Sequence, residues 1–279
     1  MSALPFRLGL VAGNVGPDCI TTVRTVPQLA EELGFHSVWF TDHVIGLKIY
    51  RPVYRGEWAE ALTAMTWAAA TTSTIRIGVG VLVAPVRSAV YAAKVVATID
   101  QLSGGRVDLG IGTGWAYREF EALGRAEIFD RRGAATDEAL TVFQRCFEGG
   151  VFGFDGEFTS FKEIEFAPRP AQRPHPPYWI GGNSGRALRR AATWADVWHP
   201  ARLTPRQMTE LGEQLDDLAG RKVARSVRLA YTAETKDEVL SSIEDYADVG
   251  CEHVIIEIKA DSTDQISREA ELLATRFSL

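Results

Sequence analysis

Four short stretches of this sequence carry residues able to do chemistry, and each ends an apolar run. Asp42-His43 directly follows Ser37-Val38-Trp39-Phe40-Thr41. Aspartate offers a hydrogen-bond acceptor and histidine a ring that exchanges a proton near neutral pH, so the pair suits proton transfer. A turn aspartate beside a surface histidine would give the same string. Gly78-Val79-Gly80-Val81-Leu82-Val83-Ala84-Pro85 sets two glycines inside an apolar run. Glycine there marks a bulge or the close approach of another group, or an interior with room for nothing larger. Gly110-Ile111-Gly112-Thr113-Gly114-Trp115 alternates glycine, which lets backbone approach a flat or anionic ligand or forms a flexible loop. Gly181-Gly182-Asn183-Ser184-Gly185 leads into a helical segment. Unpaired amides and the helix dipole make that junction attractive to phosphate, while Asn183 or Ser184 can also simply cap the helix.

Other chemistries find less support. The five histidines include no HxH and no HExxH, and no cluster of strand-end acids is visible, so no metal site is expected. Cys19, Cys146 and Cys251 are odd in number and far apart, which indicates neither a disulfide framework nor zinc; a reducing cytoplasm is the simplest compartment. A net charge of -6 without a basic stripe gives no sign of a nucleic-acid partner. Arg186, Arg189 and Arg190 read as a solvated helix face. The N-terminal apolar run is short and follows a proline and an arginine, so it reads as a first strand and not a secretory segment. No apolar stretch approaches the ~20 residues that span a bilayer, so no membrane partner is expected.

The elements that must position these residues alternate. Apolar runs at Phe6 to Val11, His36 to Thr41, Ile75 to Val83, Val107 to Ile111, Pro177 to Gly181, Asp196 to Trp198, Val227 to Tyr231 and His253 to Ile258 read as strands. Amphipathic segments with helical spacing separate them, such as Trp58, Leu62, Met65 and Ala69. Strict βα alternation argues for a parallel sheet, and eight units favour closure into a (β/α)8 TIM barrel. The length of 279 residues suits one such barrel as a single domain over 1–279. Residues 149 to 176 interrupt the rhythm and read as an insertion, a hairpin and a Pro-rich segment, between strands four and five. No GxGxxG follows the first strand, which counts against an open dinucleotide-binding sheet. Active sites of such barrels lie at the C-terminal strand ends, where the four stretches fall.

The whole set of motifs resembles the luciferase-like family of bacterial flavin monooxygenases and deazaflavin-dependent oxidoreductases. The likeness runs from about residue 6 to residue 200. It rests on Ala30 to Phe35, Ser37-Val38-Trp39, Asp42-His43, Ile77 to Arg87, Asp100 to Arg106, Gly112 to Trp115, Pro168 to Pro177, Gly181 to Ser184 and Trp198-His199-Pro200. The resemblance implies a redox ring stacked near the end of strand three, with a non-proline cis peptide at Gly80-Val81. It implies a phosphate on Gly181, Gly182, Asn183 and Ser184, Asp42 and His43 near the ring or its polar tail, and Gly112, Thr113 and Gly114 at the border of the cofactor space. Strand three and the Gly-Thr-Gly-Trp loop look more like the branch that uses coenzyme F420, with FMN as the alternative. The chain departs from the sugar-phosphate dehydrogenases of that branch, which place a glutamate where Trp115 stands. That points to a more apolar small-molecule substrate, lined by Trp115, Tyr117, Tyr50 and Trp198. His43 is then the catalytic candidate. A reductase supplying reduced cofactor is the partner to expect on the FMN alternative, and family members often form dimers, which makes a homodimer an expectation too. A barrel that binds the cofactor without catalysis is the remaining alternative.

Overall fold

The computed structural model describes residues 4–46 and 57–279. Its strands are β1 (Arg7–Val11), β2 (Ser37–Phe40), β3 (Arg76–Val83), β4 (Val107–Gly112), β5 (Gly150–Asp155), β6 (Ser160–Phe166), β7 (Tyr178–Gly181), β8 (Val197–His199), β9 (Ala224–Tyr231) and β10 (Cys251–Ile258). Eight of them close into a parallel barrel in the order β1-β2-β3-β4-β7-β8-β9-β10. The helices are α1 (Cys19–Glu32), α2 (Ala61–Thr71), α3 (Ala89–Ser103), α4 (Tyr117–Ala122), α5 (Arg132–Glu148), α6 (Gly185–Trp194), α7 (Pro205–Ala219), α8 (Lys236–Ser241), α9 (Ile243–Asp248) and α10 (Thr263–Phe277). Strands β5 and β6 pair only with each other, antiparallel, between α5 and β7.

Successive strand side chains point to opposite faces, and this sorts the core into two layers. Val38, Phe40, Ile77, Val79, Leu109, Ile111 and Ile256 face outward into the layer shared with the helices. Val11, Trp39, Trp179, Val197 and Ile255 fill the barrel interior. Trp39 and Trp179 meet edge to face with centroids 4.5 Å apart. Each ring contributes on the order of 3 kcal/mol through burial. At the N-terminal end, Arg76 closes the interior by gripping Asp108 with two hydrogen bonds, 2.9 and 2.6 Å long.

Helix ends follow local chemistry. Ser88 caps α3, which ends on Gly104 at φ 68°. Thr204 and Gln207 form a reciprocal capping box at the start of α7. Two expectations are corrected. Strand β9 begins at Ala224, three residues before the apolar run, because Arg225 pairs with Asp216 and the Ser226 hydroxyl bonds inside the barrel. The helical segment expected between the last two strands is two short helices, α8 and α9, since the Ser241 and Ser242 hydroxyls donate to carbonyls three residues back and compete with the helical ladder.

Candidate active site

The residues at the C-terminal strand ends are held by a buried polar frame. Asn14, which is fully buried after β1, clamps the chain leaving β2. Its side chain donates to the Thr41 carbonyl (2.8 Å) and the Ala59 carbonyl (3.0 Å), and accepts from the Thr41 amide (2.9 Å). Asp42 follows and turns beneath the mouth. Its carboxylate accepts from the Val83 amide (2.8 Å) and twice from Arg87 (2.7 Å each). Burial pushes its pKa up, and Arg87 opposes that push. Asp42 is 2% exposed. It therefore ties the end of β2 to the end of β3 and does not face outward toward a ligand, a correction to the sequence expectation.

His43 comes next and forms a dyad the sequence did not announce. Its Nδ1 lies 2.9 Å from Glu119 Oε2 on α4. The second oxygen of Glu119 accepts from the Val44 amide (2.6 Å) and, at 3.4 Å, the Ile45 amide. Burial alone would raise the Glu119 pKa, but His43 and these amides together hold it below the ordinary carboxylate range. Trp58 and Trp115 stand edge-on to the His43 ring at 4.8 and 5.7 Å. Nothing in the sequence marked Glu119, which lies four residues past Trp115.

The end of β3 is a shelf. Gly80 and Val81 are half-buried between the buried Val79 and Leu82, and the peptide between them is cis. The register with β4 shifts between Val79 and Leu82. Three glycines form a socket for the Val81 side chain. A Cβ on Gly112 would lie 2.4 Å from it, and one on Gly110 or Gly181 would lie 3.2 Å away. On β4, Gly112 is thus explained by packing around Val81, while a Cβ on Gly110 would first run into the Val79 carbonyl oxygen, 2.0 Å away. Gly114 has φ 74°, and a Cβ there would meet Val83 and Phe120. Thr113 is half-buried on the same loop.

At the β7–α6 junction, Gly182 has φ 104°. The Asn183 side chain donates to the Ala201 carbonyl (2.6 Å) and accepts from the Ala201 amide (3.0 Å), so it latches two loops together. Ser184 caps α6 by accepting from the Ala187 amide. The first-turn amides of Gly185 and Arg186 have no intrahelical acceptor, as at any helix start.

The expected substrate residues separate. Trp115 is 48% exposed beside His43. Tyr117 lies against Phe129, centroids 5.2 Å apart. Trp198 does not line the mouth: it points outward into the helix-facing core, fully buried, with its indole N–H donating to the Gly182 carbonyl. Its neighbours Val197 and His199 take the inward positions, as strand alternation requires. Tyr50 lies outside the described residues. His199 stacks on Trp39 inside the barrel (5.9 Å, 13°). Burial, and then the charge of Arg228, lower its pKa to about 3. Among the described residues no group of three or more His, Cys, Asp or Glu side chains is placed to hold a metal, and no helix is long and apolar enough to cross a membrane.

A closed parallel barrel with its polar groups gathered at the C-terminal mouth is an enzyme-type architecture. The chain belongs to the luciferase-like monooxygenase family, whose model matches residues 5–274. It is 32% identical over 178 residues to an FMNH2-dependent dimethylsulfone monooxygenase of Pseudomonas putida, covering 63% of this chain and 47% of that one. The chain spans about half the length of the curated relatives it matches. Its fold superposes on monooxygenase RslO1 of Streptomyces bottropensis with a TM-score of 0.82 at 21% identity, covering 97% and 98% of the two chains. An F420-dependent secondary alcohol dehydrogenase gives 0.82 at 16% identity, covering 98% of each.

Proposed function

We propose that this chain is an oxidoreductase that holds coenzyme F420 at the barrel mouth and passes hydride to or from a small organic substrate. The observation that carries this reading is the Gly80–Val81 shelf, a half-buried, side-chain-poor surface at the end of β3. A flat ring needs such a face, and the residues present fit one. Val81 is locked from behind by its glycine socket, and Gly80 offers no side chain to obstruct approach. The phosphate of the cofactor would rest on the backbone of Gly181 to Ser184 at the start of α6. When bound, a deazaflavin supplies two-electron hydride chemistry and reacts poorly with oxygen, whereas reduced FMN also reacts with oxygen.

The protein's own part is orientation and proton handling. Glu119 fixes the His43 ring through Nδ1. Nε2 is then the nitrogen that would give a proton to the substrate or take one from it. Trp115, beside His43, would line an apolar substrate space. A second reading, a monooxygenase fed with reduced FMN by a separate reductase, is supported by the 32%-identical relative named as FMNH2-dependent. Anaerobic titration with both cofactors decides between them. Tight F420 binding with no oxygen consumption is the expected result. Tight binding of reduced FMN followed by oxygen uptake would replace the first reading with the second, and binding of neither would remove both. Firm cofactor binding without turnover on a broad substrate panel would leave a binding protein.

A further inference from the structure

One cation on β9 ties together β3, the residue after β2, and β10. Arg228, on β9, donates from Nη1 to the Gly80 carbonyl (2.9 Å), from Nη2 to Thr41 Oγ1 (2.7 Å) and from Nε to Glu257 Oε2 (2.9 Å). These partners lie on β3, just after β2 and on β10. A guanidinium suits this place because its planar fork bonds several acceptors in fixed directions, which a lysine cannot do.

The cluster is also charged. Glu257 pairs with Lys259 as well as with Arg228. Burial would raise the Glu257 pKa, but the two cations hold it down, so it stays ionised. Glu257 is shared between Arg228 and the more exposed Lys259, so it offsets only part of the Arg228 charge. His199 adds no charge of its own, because its pKa lies near 3. Its tautomer is fixed as well: the Ser226 hydroxyl donates to the Trp198 carbonyl and so accepts from His199 Nδ1.

We propose that Arg228 is a positioning residue that holds the Gly80–Val81 shelf and sets a fixed positive charge behind it, favouring the reduced form of the redox ring. The proposal rests on the cofactor reading given above. Taking up a hydride adds two electrons and one proton, so the ring gains one negative charge. The Arg228 charge lies one carbonyl group from the shelf, inside a partly desolvated barrel where charges interact more strongly than in water. Charge near such a ring is one of the means by which a protein tunes its electronics.

The test is to measure dissociation constants for oxidised and reduced cofactor, with whichever of F420 and FMN binds, in wild type and three variants. In Arg228→Met, the reduced form should weaken at least tenfold more than the oxidised form. For a two-electron couple that is about 30 mV lower in midpoint potential. Arg228→Lys should restore most of the ratio while binding both forms less well. Glu257→Gln, which keeps Arg228 and removes its countercharge, should move the ratio the other way; it also serves if the Met variant does not fold. Equal weakening of both forms in Arg228→Met, or an unchanged ratio in Glu257→Gln, overturns the proposal and leaves the cofactor reading intact. Failure of the wild type to bind either cofactor overturns both.

Discussion

At the scale of single residues, the unit of interest is the His43–Glu119 dyad. Its geometry follows from burial: a carboxylate 2% exposed, next to an imidazole and two amides, fixes the orientation of the ring. Glu119→Gln keeps the size and loses the charge. Turnover should fall about 100-fold, within the range typical of general acid–base groups, and His43→Ala should lose at least as much. Single-turnover reoxidation of bound reduced cofactor, followed from pH 5 to 9, checks this. Unchanged rates in both variants would remove the dyad from the chemistry. Half of it was legible beforehand. His43 stood out because a strand ran straight into Asp42-His43. Glu119 did not, because an acid in a short helix looks like any solvated acid until the fold brings it to the mouth. Asp42 shows the opposite: its type suggested a ligand contact, and its partner Arg87, 45 residues away, decided otherwise.

At the scale of elements, β3, β4 and β7 fit together by size. Gly112→Ala would put a methyl carbon 2.4 Å from Val81 Cγ2. Overpacking of this kind should cost about 1–3 kcal/mol in urea denaturation, and cofactor affinity should drop with it as the shelf shifts. Val81→Ala in the same chain should recover most of both losses, giving a coupling energy of 0.5 kcal/mol or more between the two sites. Simple additivity of the two changes would mean that the socket is not what holds the shelf. For the β4 glycines, sequence reading offered ligand approach or a flexible loop and did not weigh packing against ligand approach. The two differ only in what lies opposite each glycine, and strand pairing decides that.

At the scale of the whole molecule, three histidines are buried in the barrel interior or at its N-terminal end. Burial is the main cause that lowers the pKa of His36 to about 4 and of His199 and His253 to about 3; nearby arginines add to it. The unfolded chain protonates each near 6.5, so between that pH and about 4 it binds up to three more protons than the native protein. Stability is therefore lost as pH falls through this window, by about 1.4 kcal/mol per pH unit for each proton of difference. Urea midpoints at pH 7, 5.5 and 4.5 should decline steeply. A flat profile would mean that these imidazoles take up protons without unfolding.

The sequence by itself determined the architecture. Eight apolar runs with helical segments between them can bury their faces together only as a parallel sheet, and eight such units fill a closed barrel. It also placed the shelf at Gly80-Val81, because that stretch resembled the luciferase-like family closely. Tertiary structure alone decided which side chains share the mouth. Arg228, Thr41, Gly80 and Glu257 come from or directly follow four separate strands, and Trp198 turned out to face the helices. The reason is geometric: which side of a strand a residue takes, and what it meets there, is set by barrel closure and register between distant segments, and no local pattern encodes either.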